Sequence, residues 1–573
     1  MRTVSTMERR LTQMIYLCAL LCLFSAQSLV AAVVPMDREE VIQRSEAIFV
    51  ATVAKKNVRW NDQGNMIVTD YVFTSSDVLF GNIKGEVTLT FAGGQLAEEG
   101  QSVSEVPEYF VGERVLLMVE DTRNPLLSPV TGMYQGSYVA SQIEENGAAL
   151  VLDGEGHLVV EKGEKVPFDA FVERVRREIP EAKAKPLPRR EVPADLEHLV
   201  LRDLPVQAYD PDSVYELTPD ARDADHPASA EDLAGPLSLG ARRINGVDSQ
   251  MGLDQHGRQA DLPTHEWSYS HRAKNVPIVF NPLPSGGLIG SHDQYQMSYW
   301  NTYADIFRVM SSTGSWAWKN NRYDIAGFVN NATMISQFGS GWGSSTLAVC
   351  WLRWDSSGFS IEADIAMNPA FSWTVNDYDT YSNSSLYNAD RTLLHEIGHA
   401  WGLNHQFNAL SVMNYAPHKY RAYTVLSGDD TMAVRAAFSS KSVSRTDLGV
   451  ALYYANGYQN YSDSTLSATF VPKGSTVTIS NFMLENVGTT TISSPQVRWY
   501  LVPNINSWGS ARYVGATTHS SLSSNSYWLT SRTLTIPAST PTGWYYIGAW
   551  IGMSSDSVGN NNSSWCGRRI YVY

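Results

Sequence analysis

The segment LLHEIGHAWGLNH, residues 393–405, places three histidines and a glutamate within a few positions of one another. His395 and His399 are four apart, so on a helix they leave the same face one turn apart. Glu396, beside the first, can reach a water at a shared metal without being a ligand. Gly402 permits the positive φ that ends a helix, and the turn brings His405 back towards the other two. Neutral imidazoles in this arrangement suit a divalent ion of the zinc type. With 12 histidines in 573 residues, a chance HExxH occurs in on the order of a few percent of such chains, and the added Gly and third His lower that to roughly 1 in 10⁴. The three histidines are therefore read as a metal site, and the others as ordinary core or surface imidazoles.

These residues need a helix and a sheet to hold them. Ala389, Leu393, Ile397 and Ala400 form an apolar stripe, with Ser384 or Ser385 as the expected cap. Upstream, VPIVFNP (276–282), DIAGFV (324–329), TLAVCWLRW (346–354) and SIEADIAMN (360–368) read as strands, and Met297, Trp300, Ala304 and Phe307 as one face of a helix. Strands with helices at both ends predict an α+β domain over residues 241–457.

At 573 residues the chain exceeds one hydrophobic core. Residues 33–180 form a β-rich N-terminal domain. Within it, alternating runs from Ile48 to about Glu120 predict a small antiparallel barrel or sandwich. Phe168, Phe171, Val172, Val175 and Ile179 follow at helical spacing, in a helix expected to end at Pro180. Nine prolines from Pro180 to Pro236 mark residues 181–240 as a linker or pro-segment. Residues 461–573 hold three acidic and six basic side chains among abundant Ser, Thr and Asn, so residues 458–573 read as an immunoglobulin-like β-sandwich. Trp499, Trp508, Trp528, Trp544, Trp550 and Trp565 line either a glycan- or protein-binding surface or, the simpler account, the sandwich core.

A net charge of -15 argues against nucleic acid or anionic lipid as partner. Arg2, Arg9 and Arg10 precede an apolar run from Ile15 to Ala26, followed by small residues at Ala31 and Ala32, so residues 1–32 are expected to be a signal peptide. No later segment is long and uncharged enough to span a bilayer. The mature chain is expected to be secreted or extracellular, with the periplasm as the other destination. Cys350 and Cys566 would remain after cleavage, and their wide separation favours two buried thiols over a disulfide.

HExxHxxGxxH, with the later SVMNY carrying Met413, resembles the metzincin clan of zinc endopeptidases. EADIAMN before the helix and LSGDDTMAVRAAF after the methionine resemble its matrixin branch, over roughly residues 270–440. The resemblance implies one catalytic zinc on His395, His399 and His405, and peptide hydrolysis by water with Glu396 as general base and no acyl-enzyme. It implies a tight turn at Met413 beneath the metal, a pocket wall including Pro417 and Tyr420, and substrate lying along TLAVCWL as an added strand. Tyr415 is similar to a tyrosine of the astacin and serralysin branches that contacts zinc or the oxyanion; an ordinary wall residue is the other reading.

Several features depart from the branch. No cysteine lies between Val33 and Val349, which excludes a pro-segment cysteine on the zinc and leaves an acidic residue of the linker as a substitute that the sequence does not single out. Residues 330–345 contain neither His nor Asp, so a second, structural zinc is not expected. Calcium is an option near Asp364 or Asp377, with solvated carboxylates the simpler account. LENVGTT and SDSVGNNNSS resemble immunoglobulin-like adhesion modules of the CARDB kind, often appended to exported proteins.

The expected whole is multidomain: an α+β metzincin core flanked by a small N-terminal β-barrel or sandwich and a C-terminal immunoglobulin-like β-sandwich. The expected function is a secreted zinc-dependent endopeptidase acting on proteins or peptides. The alternative is an extracellular adhesion or glycan- or protein-binding protein whose metal site is not catalytic. No pattern in the chain encodes its oligomeric state.

Overall fold

The computed structural model describes residues 33–187 and 444–573 with short gaps, and residues 323–374 and 386–403 nearly in full. It also describes short strands between 242 and 310, Trp300, His405, Val412, Met413, Leu426, Asp430 and Val434. The readings of residues 1–32 and 188–240 lie outside this set.

The alternating runs near the N-terminus become strands β1 (Ala47–Trp60), β2 (Ile67–Phe80), β3 (Glu86–Ala92), β4 (Gly94–Gln95), β5 (Glu99–Val103), β6 (Arg114–Val119), β7 (Ser137–Glu145) and β8 (Ala148–Asp153). Six of them form one sheet in the order β3-β2-β1-β6-β7-β8. Period-two alternation gives the sheet two apolar faces. Ile48, Val50, Leu116 and Met118 pack on helices α1 (Arg38–Arg44) and α2 (Phe168–Ala184), while Phe49, Ala51, Leu117 and Val119 pack with Tyr71 and Tyr109 on the other side. This linear order differs from the expected barrel or sandwich: β3 and β8 lie at opposite ends of the path, and the apolar stripe of α2 covers the face that a second sheet would have taken.

Helix α2 also runs through Pro180 to Ala184 instead of stopping there. Proline removes one backbone hydrogen bond. Buried Ile179 and Ala182 hold the last turn, together with Lys183 Nζ, which donates to the carbonyls of Gln43 (3.2 Å) and Ser45 (2.5 Å).

The central region supplies β9 (Val276–Phe280), β10 (Phe307–Met310), β11 (Tyr323–Phe328), helix α3 (Asn331–Phe338), β12 (Ala348–Asp355), β13 (Phe359–Met367) and helix α4 (Ala389–Ala400). Phe307, expected on a helix, starts a strand. Its sheet runs β10-β9-β11-β13-β12-β5-β4, so two strands of the N-terminal region extend it. β9, β10, β11 and β13 pair in parallel, whereas β12 is antiparallel to both β13 and β5. The regions also share one apolar core, in which Val33, Met66, Val68 and Val103 pack with Phe338, Leu347, Val349 and Trp351. Trp351 stacks on Phe338 with ring centroids 4.2 Å apart.

The C-terminal region folds as two sheets around a common core, five strands in one and four in the other, to which Arg242–Arg243 adds a fifth. Trp499, Trp528 and Trp565 are buried in this region, while Trp544 is exposed beside Phe470 and Tyr571. Cys566 is buried here and Cys350 in β12, and both are free thiols, as expected from their separation. No helix among the described residues is long and apolar enough to cross a membrane.

His519 lies in the same region between the rings of Phe482 and Trp528, its Nε2 without a hydrogen-bond partner. Burial and the Arg532 guanidinium hold its pKa down at about 4. The unfolded chain takes up that proton near pH 6.5, so the stability held by neutral His519 is complete above that pH and is lost as pH falls towards 4. The loss reaches about 3 kcal/mol. Denaturant midpoints at several pH values should show this fall in the wild type and a flatter one in His519→Gln; parallel curves would refute it.

Candidate metal centre

Helix α4 begins where the chain stops being extended. The strand Leu386–Asn388 pairs with Ser372–Thr374, so the helix starts at Ala389 and Asn388 is the cap, in place of the expected Ser384 or Ser385, which lie outside the described residues. Asn388 Oδ1 accepts from the Arg391 N–H at 2.8 Å, and the Thr392 hydroxyl donates to the Asn388 carbonyl at 2.9 Å. At the other end Gly402 has φ +89. The Gly402 N–H donates to His399 O at 2.8 Å and the Leu403 N–H to Gly398 O at 3.1 Å, the paired bonds of a Schellman cap. The expected reversal at Gly402 is therefore present, and it returns His405 to the helix face.

The three histidines converge. Their Nε2 atoms are 3.1 Å apart for His395 and His405, and 3.0 Å from His399 to each of the others. His395 Nδ1 lies 2.7 Å from the Val412 carbonyl, and His399 Nδ1 lies 2.9 Å from the Leu403 carbonyl. A carbonyl only accepts, so each Nδ1 carries the proton and each Nε2 presents a lone pair. Lone pairs this close repel unless a cation lies among them. Tetrahedral zinc at about 2.0–2.1 Å from nitrogen sets its ligands about 3.3 Å apart, close to the observed spacing, so the donor set fits zinc. Among the described residues, one group of metal-ligating side chains gathers, and it has a fourth member: Glu105, with its ligand atom within 4.8 Å of the other three.

The support beneath the ligands is equally specific. Met413 is fully buried at the turn after the helix, and a Cβ added to Gly398 would lie 2.1 Å from its sulfur, which accounts for the glycine inside the HExxH segment. Asp430 Oδ2 accepts from the Val412 N–H at 2.9 Å and Oδ1 from the Met413 N–H at 3.4 Å. Asp430 thus fixes the peptide whose carbonyl orients His395. Asp430 lies in the polar run LSGDDT, where no local pattern marks it as a support of the metal ligands. Partners of this kind typically carry 10–100-fold in metal affinity. Asp430→Asn is accordingly expected to weaken zinc binding by about 10–100-fold in competition with a chromogenic chelator, and unchanged affinity would remove Asp430 from the support.

Glu396 is fully buried. Its Oε2 accepts from the Ser104 hydroxyl at 3.3 Å, and its Oε1 has no hydrogen-bond partner. Burial pushes its pKa up to about 8, with Glu105 adding to the rise and His395 and Ser104 opposing it. Glu105 Oε1 lies 2.7 Å from His405 Nε2 and 3.8 Å from His395 Nε2. Burial raises the Glu105 pKa, but His405 and His395 outweigh it and hold this carboxyl well below the usual range. Burial, then His405 and His395, push His399 well below its ordinary value, which favours the neutral imidazole a metal needs. Cys350 lies close enough to feel Glu396, yet burial first and then the charges of Glu396 and Asp364 raise its thiol pKa, so it is not a thiolate ligand.

The structure therefore brings together His395, His399, His405, Glu396 and Met413. Tyr415, Pro417, Tyr420 and Asp377 lie outside the described residues, and Asp364 is buried in β13. Glu105 and Ser104 were not singled out from sequence, being nearly three hundred residues away from the helix.

A buried helix presenting two histidines, closed by a bend with a third, forms a centre whose residues could hold a metal. Residues 346–439 match the Peptidase_M10 family, matrixin, so the chain carries a matrixin-like metalloprotease segment. A "Probable matrix metalloproteinase 095L" of Invertebrate iridescent virus 3 is 36% identical over 89 residues, covering 15% of this chain and 23% of that protein; the chain thus spans less than a quarter of that relative's length. Two solved structures align at low scores. An alkylpurine DNA glycosylase, AlkC of Pseudomonas fluorescens, bound to DNA containing an abasic site analog, is 10% identical over 26% of this chain and 35% of that one, with a TM-score of 0.15. The sporulation control protein Spo0M of Bacillus subtilis is 11% identical over 23% of this chain and 50% of that one, with a TM-score of 0.14. At such scores neither bears on this chain.

Proposed function

We propose that the protein is an exported zinc-dependent endopeptidase that hydrolyses peptide bonds of proteins, with Glu396 as general base. The observation that carries this reading is the convergence of three imidazole Nε2 atoms within 3.1 Å of one another beside a buried carboxylate. His395, His399 and His405 would hold the zinc. Once bound, zinc supplies a Lewis acid and lowers the pKa of water at the site.

The residues of the chain do the remaining work. Glu396 Oε1, without a hydrogen-bond partner, is free to take a proton from water and pass it to the leaving amine. Val412 O and Leu403 O fix the tautomers of His395 and His399. Strand β12, paired with β13 on one side, would order an extended peptide along its other side, where β5 now lies. Tyr415 is assigned the oxyanion as a further part of the proposal, and export rests on the basic and apolar pattern of residues 1–32.

One observation favours the rival, an adhesion protein: the rings of Phe470, Trp544 and Tyr571 cluster at the surface of the C-terminal region, with Phe470 63% and Trp544 43% exposed. A structural metal site has no use, however, for a buried carboxylate with an unsatisfied oxygen. The test is zinc content together with casein cleavage, on the full chain before and after limited trypsin digestion. About one zinc per chain, and cleavage that a chelator abolishes and zinc restores, are expected. Absence of zinc, or cleavage indifferent to chelation, would overturn the reading.

A further inference from the structure

Strand β12 would be the edge of the central sheet but for β5, which lies antiparallel on it. The pairing runs from Glu99 opposite Asp355 to Val103 opposite Trp351. The Ser104 N–H then donates to Cys350 O at 3.0 Å, and the Cys350 N–H donates to Ser104 Oγ at 3.0 Å. Arg353 pairs with Glu99, and Trp354 lies against Gly100, where an added Cβ would fall 2.2 Å from the indole. One residue further on, Glu105 reaches the three histidines, while Ser104 contacts Glu396. A single run of seven residues, 99–105, thus covers the peptide-binding edge, the general base and the metal ligands together.

The backbone at this point is held in an unfavourable shape. Val106 N–H closes a turn on the Val103 carbonyl at 3.4 Å, and Glu105, third in that turn, has φ +68. Glycine is the usual residue there, and a larger side chain in this conformation costs on the order of 1–3 kcal/mol. The turn carries a glutamate instead, and its carboxylate is aimed at the imidazoles.

Building on the zinc-peptidase reading, we propose that residues 99–105 are a tethered inhibitor: the strand occupies the substrate edge of β12, and Glu105 is a fourth protein ligand to the metal. A substrate peptide and this segment compete for the same backbone groups and the same ion, and the full chain is latent until the segment is displaced. The occupant belongs to the folded N-terminal region, not to the proline-rich linker.

The test compares the full wild-type chain with Glu105→Gln and Glu105→Gly. Glycine adopts φ +68 without strain, so the second variant retains its fold even if the first does not. Three quantities are read: the rate at which a chelator strips the zinc, the affinity for a fluorescent peptide hydroxamate, and cleavage of a quenched peptide library. Both variants should lose zinc about tenfold faster or more, and bind the hydroxamate at least about tenfold more tightly, because a tethered competitor has been weakened. Zinc release and hydroxamate binding equal to wild type in both variants would overturn the proposal. If those two readouts shift but no peptide is cut, the inhibitor stands and the peptidase reading falls. If wild type and variants cut peptides equally, the peptidase reading stands and the inhibitor falls.

Discussion

Replacing Glu396 with alanine in a Glu105→Gly background should lower kcat/KM for peptide hydrolysis by about 10³-fold or more while leaving about one zinc per chain. Metal retention follows from the geometry. None of the carbonyls that orient the imidazoles, at Val412 and Leu403, depends on Glu396, and the three Nε2 atoms converge without it. The fold should tolerate the change as well, because the carboxylate is fully buried with one oxygen unsatisfied, and removing such a group relieves a desolvation penalty. Steady-state kinetics and atomic absorption on the same sample decide the matter. Activity within about tenfold of the parent would mean that another group takes the proton, and loss of zinc would mean that Glu396 is a ligand.

His399→Ala should produce the opposite pattern, with the metal lost first. His399 Nε2 is 3.0 Å from both other ligand nitrogens, so its removal opens one corner of the donor triangle. The affinity for zinc should fall by more than the roughly 100-fold upper bound set by outer partners such as Asp430. Because a ligand that binds only the folded state stabilises it by about 4 kcal/mol at a thousand times its Kd, zinc should raise the melting temperature of wild type and leave that of the variant nearly unchanged. Equal shifts in both proteins would exclude His399 from the site.

The local parts of this architecture were legible in the sequence, and the non-local parts were not. Helical periodicity alone puts His395 and His399 on one face, and the need for a positive φ at Gly402 follows from the residue type. β1, β2, β3 and β6 fall on the runs read as strands because successive residues face opposite sides of one sheet, and apolar partners cover both sides. By contrast, the start of α4 is set by the pairing of Leu386–Asn388 with another strand, which overrode the serines. Pro180 is carried inside α2 by tertiary packing, and Phe307 enters a parallel sheet whose neighbours lie elsewhere in the chain. Glu105 carries no local signature: SVSEVPEYF has no ligand spacing, and only the pairing of β5 with β12 brings it to the histidines.

The side chain of Val103 lies on the same strand as the occluding turn and belongs to the apolar core that joins the two regions. Withdrawing the strand would carry Val103 out of the core that it shares with Met66, Val68 and Trp351. Returning Val103 alone to water costs about 1.5–3 kcal/mol, which disfavours opening by roughly ten- to a hundredfold. Unmasking therefore works against this packing as well as against the Glu105 contact, and a cut in the chain or a partner's grip would lower both barriers at once.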